Sequence, residues 1–213
     1  MGEKKRLLSF LALPAAPPGT PPAYFARLPR VETPRLILRR MSLRDAPDLF
    51  EYSQDPEVAR HVLWTAHRSV AESRAYIRWV RQQYANSSPS SWCIEEKQTG
   101  KVIGTIGFMA YRPEDLTVEV GYSLARSRWN QGLMTEALQA VLSQCFSVLR
   151  LHRVEAQHFS ANPASGRVML KCGMTHEGTL RRRIFNKGEF LDVEMWGILR
   201  SDWESLHQAP RQP

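Results

Sequence analysis

A short polar turn is the stretch of this chain whose residue types first suggest chemistry: residues 131–135 read Gln-Gly-Leu-Met-Thr, and an apolar helical pattern follows them. The first amides of a helix have no partner inside the helix, and the helix dipole is positive there, so this position favours a phosphate. Gly132 lets the backbone approach such an anion closely. The competing interpretation is a plain turn, since a glycine before a helix is common.

Two elements must position this turn. Residues 118–124 alternate apolar and polar side chains, which is the period of a strand. From Glu136 to Leu149 apolar residues recur at helical spacing and cover nearly the whole helix, which predicts that the helix is buried. The turn is therefore expected at the end of a strand and at the start of a buried helix.

Four ordered blocks of sequence carry a resemblance to a known family. They are residues 119–124 (EVGYSL), 129–137 (WNQGLMTEA), 162–165 (NPAS) and 171–174 (KCGM). Together they closely resemble the GNAT family of acetyl-CoA-dependent N-acetyltransferases, and within it the RimJ/RimL-like branch that acetylates the N-termini of ribosomal proteins. The resemblance covers residues 31–206. In the turn, Trp129 stands where the family usually has Arg or Gln, and Met134 where it has Gly or Ala. Since backbone amides, and not these side chains, would contact the phosphate, the departure weakens the match to the motif more than the predicted phosphate binding.

The resemblance implies acetyl-CoA as the cosubstrate. Its diphosphate would lie on the amides of the turn, and its pantetheine arm would pair with the central strand, in a cleft where the sheet splits between that strand and the strand near residues 154–158. Asn162 would hold the pantetheine amide or the thioester, although an Asn before Pro is also a turn former. The cofactor-binding residues implied are Tyr122, Leu124, Gln131, Gly132, Leu133, Met134, Thr135 and Asn162.

The implied reaction is direct attack of an amine on the thioester. An α-amine, with a pKa near 8, is partly neutral in the cell, so a modest base acting through water suffices. Glu119 is the candidate base because relatives often carry a carboxylate at this place on the central strand; a solvated or ion-paired glutamate is the alternative. Gln157 occupies the position that serves as base in some relatives and cannot act as one, and Glu155 ranks second.

The leaving CoA thiolate needs a proton or a hydrogen bond. Ser165 matches the Asn-x-x-Ser position at which RimJ/RimL-like relatives place such a group. A purely structural role in the first turn of the following helix is the alternative for this serine, and Tyr122 is the second candidate.

Composition narrows the remaining classes. The chain has 213 residues, of which 43% are hydrophobic, which fits one domain with tails. No apolar run approaches the roughly 18 residues of a membrane span, so we expect a soluble cytoplasmic protein. The cysteines and histidines lack metal-ligand spacing, which predicts no metal. The net charge is +8, and the run of arginines at 181–183 reads as a solvated strand whose side chains alternate between faces, with contact to ribosomal RNA or a CoA phosphate as the alternative.

The order of elements predicts the α+β class with the GNAT fold: a mixed, mostly antiparallel sheet of six to seven strands, splayed at its centre and flanked by helices. We expect a Pro-rich arm at residues 1–30 outside the core, mobile or docked on a second copy in a homodimer, then the acetyltransferase domain at 31–207 and a tail at 208–213. Ser69 and Glu72 predict a capping box for a helix that runs to Ala85.

The sequence therefore predicts an enzyme that acetylates a primary amine, foremost the α-amine of a protein N-terminus such as that of a ribosomal protein, with a contact to the ribosome. Two alternatives stay open: a small-amine acetyltransferase acting on an antibiotic or an amino acid, and a catalytically silent acyl-CoA-binding module. In the family, the helices after the first strand flank the acceptor, so Trp64, His67 and Trp79 are candidates for the acceptor pocket, with a core or surface role as the alternative for each.

Overall fold

A computed structural model of the chain describes residues 21–208. Residues 1–20 of the predicted arm and 209–213 of the predicted tail lie outside the described residues. The described end of the arm belongs to the core, contrary to expectation: Phe25 is 1% exposed and Leu28 3%. The ring of Phe25 lies 5.0 Å from that of Phe108, because this short aromatic segment covers one face of the sheet.

Eight strands form one sheet. They are β1 (Val31–Glu32), β2 (Leu36–Arg39), β3 (Ser91–Glu96), β4 (Val102–Arg112), β5 (Thr117–Leu124), β6 (Arg153–Phe159), β7 (Thr175–Asn186) and β8 (Glu189–Leu199). Their spatial order is β1-β2-β3-β4-β5-β6-β8-β7, and all neighbours are antiparallel except β5 and β6. The mixed, mostly antiparallel α+β fold is thus confirmed, with one strand more than expected, because the two residues of β1 pair with β2.

Seven helices flank this sheet within the described residues. They are α1 (Pro21–Ala26), α2 (Ala46–Ser53), α3 (Pro56–Arg60), α4 (Val70–Ala85), α5 (Leu133–Ser143), α6 (Pro163–Lys171) and α7 (Arg200–Gln208). At the start of α4 the Ser69 hydroxyl accepts the Glu72 amide as predicted, but the Glu72 carboxylate accepts the amide of Arg68, one residue earlier than a capping box requires. No helix among residues 21–208 is long and apolar enough to cross a bilayer.

The sheet splits at its centre, as expected. The parallel pairing of β5 with β6 runs from Thr117 opposite Arg153 only as far as Val120 opposite Ala156. Beyond that point β5 stays paired with β4 up to Leu124, while β6 stays paired with β8 up to Phe159. The second half of β5 therefore borders a cleft, and α5 and α6 begin beside it.

The strand β7 differs from its sequence-based description. It begins at Thr175 rather than near Leu180, and the register slips between Leu180 and Ile184. Arg182 has a left-handed backbone (φ 51°), and its amide donates to the Asp192 carboxylate at 2.7 Å. The predicted alternation of the three arginines between faces is thus wrong, since they form an exposed bulge on the outermost strand.

Candidate active site

The turn before α5 has an unusual backbone. A 3-10 turn (Arg126–Arg128) leads into it, and Asn130 and Gly132 are both left-handed, with φ of 60° and 75°. The first bond of the helix joins the Glu136 amide to the Gly132 carbonyl at 3.0 Å. Across residues 21–208, the amides of Leu133, Met134 and Thr135 therefore find no protein acceptor, and they are available to an anion.

Three hydrogen bonds fix the conformation of this turn. The Trp129 indole donates to the Leu124 carbonyl at 2.8 Å, and the Gln131 side chain donates to the Ser127 carbonyl at 2.9 Å. The Arg35 guanidinium, from the start of β2, donates to the Gln131 carbonyl at 2.9 Å. Trp129, which departs from the family pattern, thus ties the turn to the end of β5.

Glu136, in the first turn of α5, anchors this arrangement from below. Its carboxylate accepts the Thr33 hydroxyl at 2.6 Å, the Arg35 amide at 2.8 Å and the Arg35 guanidinium at 2.6 Å. Burial raises the pKa of Glu136, but these hydrogen bonds outweigh it and bring the pKa below its ordinary value. This contact could not be predicted from the sequence, because about a hundred residues separate the partners.

A cavity of ≈460 Å³, the loop cavity, opens over the free amides. Of the predicted cofactor-binding residues it is lined by Tyr122, Leu124, Gly132, Leu133, Met134, Thr135 and Asn162. The remaining one, Gln131, does not line the cavity, because its side chain and its carbonyl make hydrogen bonds within and beneath the turn, to Ser127 and Arg35. Arg167 and Lys171, one turn apart on α6, add positive charge to the wall. Sequence analysis gave these two residues no role, although their helical spacing beside Asn162 was readable.

A second cavity, also ≈460 Å³, adjoins the first on the side of α4, and we call it the aromatic cavity. Its aromatic lining consists of Trp64, Tyr76, Trp79, Phe108, Tyr122 and Phe159. The two cavities share His61, Val62, Tyr122, Ser123, Asn162 and Ser165. A molecule in the loop cavity could thus meet a second one in the aromatic cavity across this common wall.

Glu119 lies in the aromatic cavity, half-buried on β5. The Gln157 amide donates to its carboxylate at 2.7 Å. Burial raises the pKa of Glu119, and the Gln157 hydrogen bond and the more distant Arg112 only partly oppose this. A carboxylate with a raised pKa is a better proton acceptor, and Gln157 holds it in place.

Glu155, the second candidate base, is held differently. Its carboxylate accepts hydrogen bonds from Arg112 at 2.7 Å and from Arg153 at 2.8 Å. Burial raises its pKa, but the two arginines outweigh burial, so that the pKa lies below its ordinary value. Glu155 lines neither cavity, and its arginine partners make it a weak base.

Ser165 and Asn162 meet on the common wall of the two cavities. The Asn162 side-chain amide donates to the Ser165 hydroxyl oxygen at 3.0 Å, which leaves the hydroxyl proton of Ser165 for another acceptor. Tyr122 donates its own hydroxyl proton to the Ser165 carbonyl at 3.1 Å. Of the two candidate proton donors, Ser165 is therefore the one whose proton is not already engaged.

His158 also lines the aromatic cavity, but both of its ring nitrogens are occupied. The Trp196 indole donates to Nε2 at 3.1 Å, so the proton resides on Nδ1 and is donated to the Phe159 carbonyl at 2.9 Å. This histidine cannot accept a substrate proton without breaking the first bond. His61 lines both cavities as well, and burial lowers its pKa, so Glu119 and His61 are the titratable groups of the lining that remain as candidate bases.

The charges around the aromatic cavity are few. Among the residues of the described chain that line it, Glu119 is the one carboxylate. The same lining contains no Lys or Arg. The loop cavity differs, since Arg128, Arg167 and Lys171 all line it. The aromatic cavity therefore suits a molecule that carries one amine and little other charge.

The three aromatic residues singled out in the sequence belong to one row of rings. Trp64 lies 5.5 Å from His67, His67 lies 6.4 Å from Tyr76, and Tyr76 stacks on Trp79 at 6.0 Å. Trp64 and Trp79 line this cavity, whereas His67 lies behind them and shares a hydrogen bond between its Nδ1 and the Ser73 hydroxyl at 2.7 Å. Burial lowers the pKa of His67, and the nearby Glu72 opposes this only partly, which favours the neutral form of the ring.

Comparisons with known proteins agree with this geometry. The family model described as "Acetyltransferase (GNAT) domain" matches residues 35–175. "Uncharacterized N-acetyltransferase YoaA" of Bacillus subtilis (strain 168) is 33% identical over 172 residues, 81% of this chain and 97% of that protein. The [ribosomal protein uS5]-alanine N-acetyltransferase of Escherichia coli (strain K12) is 25% identical over 192 residues, 84% and 96% of the two chains. A GNAT-family acetyltransferase structure from Bacillus anthracis matches with a TM-score of 0.73 and 25% identity over 81% of this chain and 99% of that one.

Proposed function

Because the chain belongs to the GNAT family of acetyltransferases, we propose that it acetylates the α-amine of a protein N-terminus. The chain is an acetyl-CoA-dependent N-acetyltransferase, and acetyl-CoA is its donor. The acceptor and the roles of individual residues are the content of the proposal. Similarity along 84% of the chain to an enzyme named [ribosomal protein uS5]-alanine N-acetyltransferase supports it.

We assign the loop cavity to acetyl-CoA. The diphosphate fits the free amides of Leu133, Met134 and Thr135, since unpaired helix amides bind phosphate oxygens well. Arg167 and Lys171 supply charge for the remaining phosphate. The pantetheine arm follows the second half of β5, where β6 has separated, and Asn162 and Ser165 then stand beside the thioester.

The acceptor amine enters from the aromatic cavity. Its nitrogen attacks the thioester carbonyl carbon, the C–S bond breaks, and the electron pair leaves on sulfur. The proton lost by the amine passes to Glu119, directly or through a water, and the Ser165 hydroxyl donates a hydrogen bond to the sulfur. Glu119 thereby acts as a general base whose position depends on Gln157.

One observation carries the choice of acceptor, namely the sparse charge of the aromatic cavity. A free amino acid would bring a carboxylate that finds no Lys or Arg there, and a polyamine antibiotic would bring several ammonium groups to the single carboxylate of Glu119. A peptide N-terminus has one amine and no nearby carboxylate. It is therefore the acceptor that fits this lining.

The experiment is an acetylation assay with purified protein, acetyl-CoA and three classes of acceptor: short peptides with free N-termini, free amino acids and aminoglycosides. Thiol release measures turnover, and mass spectrometry locates the added acetyl group. We expect peptides blocked at the α-amine to be the main products. Turnover with an aminoglycoside but no peptide would refute the proposal, and tight CoA binding without any turnover would favour a silent binding module.

Glu119→Gln tests the base. General bases typically contribute about 10²- to 10⁴-fold to the rate of a reaction. Because an α-amine is already partly neutral at cellular pH, we expect the loss of rate in this variant to lie near the lower end of that range. We expect turnover at neutral pH to fall by about 10²-fold, while calorimetry finds CoA affinity nearly unchanged. Equal turnover in the variant and the native enzyme would remove Glu119 from this role.

A further inference from the structure

We propose that the aromatic cavity selects N-termini whose first residue carries a large apolar or aromatic side chain. The inference rests on the proposed function, since it names the class of N-terminus that the enzyme acetylates. Three features of the cavity support it: a preorganised aromatic wall, a flexible methionine over the glycine next to Glu119, and a lining without Lys or Arg.

The wall is built to stay in place. The stacked pair of Tyr76 and Trp79 comes from consecutive turns of α4, and Trp64 comes from the loop before that helix. His67 bridges them from behind and is fixed by the buried hydroxyls of Ser53 at 2.9 Å and Ser73 at 2.7 Å. A preorganised aromatic surface loses little entropy when an apolar side chain docks on it, which favours binding of such a group.

The floor beside Glu119 is Gly121. Residues 119, 121 and 123 lie on the same face of β5, so this glycine comes next to the proposed base along the strand. A Cβ on Gly121 would come within 2.9 Å of Met109 Cγ, and the Met109 side chain is 52% exposed. The Met109 side chain thus occupies the volume over Gly121, and because it is flexible and exposed it can move aside and adapt its shape to the first side chain of an acceptor whose amine lies at Glu119.

The rim of the cavity is apolar and exposed. Leu63 is 66% exposed, Trp79 58% and Met109 52%, and all three line the cavity. Large apolar side chains gathered in this way around one opening mark a surface that another molecule covers. A cavity of ≈460 Å³ is also within the range of roughly 300–1,000 Å³ that holds drug-sized groups, and it is larger than the methyl of an alanine needs.

The charge of the cavity distinguishes apolar first residues from acidic and basic ones. An acidic first side chain would meet no cation in the lining, and its field would oppose the ionised form of Glu119. A basic first side chain could lie on the rings through a cation–π contact, which makes it the principal rival. The rings of this wall are, however, backed directly by His67 rather than by a carboxylate, and Glu72 acts on His67 only as the smaller influence on its pKa.

The test uses the full chain with acetyl-CoA and a set of pentapeptides that differ only in the first residue: Phe, Leu, Met, Ala, Ser, Asp and Lys. We expect kcat/KM for the Phe, Leu and Met peptides to exceed that for Ala and Ser by about tenfold or more, as burial of a large apolar side chain gives. Trp79→Ala should shrink this ratio to about threefold or less, whereas Phe190→Ala, equally exposed at 57% but outside the cavity, should leave it unchanged.

The outcomes are distinguishable. If peptides are acetylated but Ala, Ser or Lys is the preferred first residue, the inference fails and the proposed function stands. The inference also fails if the native preference is as expected but Trp79→Ala leaves it intact. If no peptide is acetylated while a small amine is, the proposed function itself fails, and the inference fails with it.

Discussion

Replacing Glu136 by alanine should weaken acetyl-CoA binding without slowing the chemical step. The carboxylate lies beneath the turn before α5 and accepts hydrogen bonds from Thr33 and from the amide and the guanidinium of Arg35, whose guanidinium also donates to the Gln131 carbonyl. In Glu136→Ala the turn loses this support and must be ordered by the cofactor itself. The free energy of ordering is then subtracted from the free energy of binding.

The size of the effect follows from the exposure of the partners. Hydrogen bonds to a charged group contribute roughly 1.5–3 kcal/mol when buried, and exposed ion pairs about 0–1 kcal/mol. The Glu136 side chain is 14% exposed and that of Arg35 49%, which places this cluster between the two cases. A loss of about 1–2 kcal/mol corresponds to an increase of about 5- to 30-fold in the Kd for CoA.

Calorimetry of CoA binding and steady-state kinetics together check this prediction. KM for acetyl-CoA should increase with Kd, while kcat at saturating acetyl-CoA stays within about threefold, because Glu136 lines neither cavity. Glu32→Ala is the matched control, since this glutamate also pairs with basic side chains, Arg30 and Lys97, but is 52% exposed and away from the turn. An unchanged Kd in a folded Glu136→Ala protein, or a loss confined to kcat, would refute the reasoning.

Two further predictions concern pH. Gln157→Leu removes a hydrogen bond that lowers the pKa of Glu119, so the pKa of Glu119 should rise further. The acid limb of the pH profile of kcat/KM should therefore move to higher pH. A limb that stays in place would contradict the assignment of Glu119 as the base. Hydrogen bonds from Ser160, Thr179 and His176 lower the pKa of Glu194 to about 2, so the stability it contributes is fully present above pH 4.5 and is lost as the pH falls towards 2. Thermal melts of Glu194→Gln should therefore lie below those of the native protein at neutral pH and converge with them in acid, and parallel curves would count against this account.

Local signals predicted much of the architecture. The alternation of residues 118–124 and the helical spacing after Glu136 predicted β5 and α5, and Ser69 marked the start of α4. These patterns are legible because each depends on neighbours within one or two turns of chain. The sequence also predicted that Gly132 allows a close approach of the backbone to an anion, whereas its left-handed backbone at the start of α5 is a finding of the structure.

Other features depend on partners distant in sequence and could not be read locally. Glu136 meets Arg35 across about a hundred residues, and the contact of Gln157 with Glu119 requires β5 and β6 to be neighbours. The packing of Phe25 against Phe108 likewise joins a segment that composition alone assigns to a Pro-rich arm with the middle of the sheet. The roles predicted for Glu119, Ser165 and the cofactor-binding residues stay predictions, although the geometry brings most of them to two adjoining cavities.

The two outer strands of the sheet bear on how the molecule behaves at high concentration. An unpaired strand edge is a template for β-aggregation and for addition of a foreign strand. Here one edge, β1, is only two residues long, and the other, β7, is interrupted by a bulge of three exposed arginines. Short length at one side and like-charge repulsion with a distorted backbone at the other discourage edge-to-edge growth. Growth by continuation of the sheet is thus disfavoured at both of its edges.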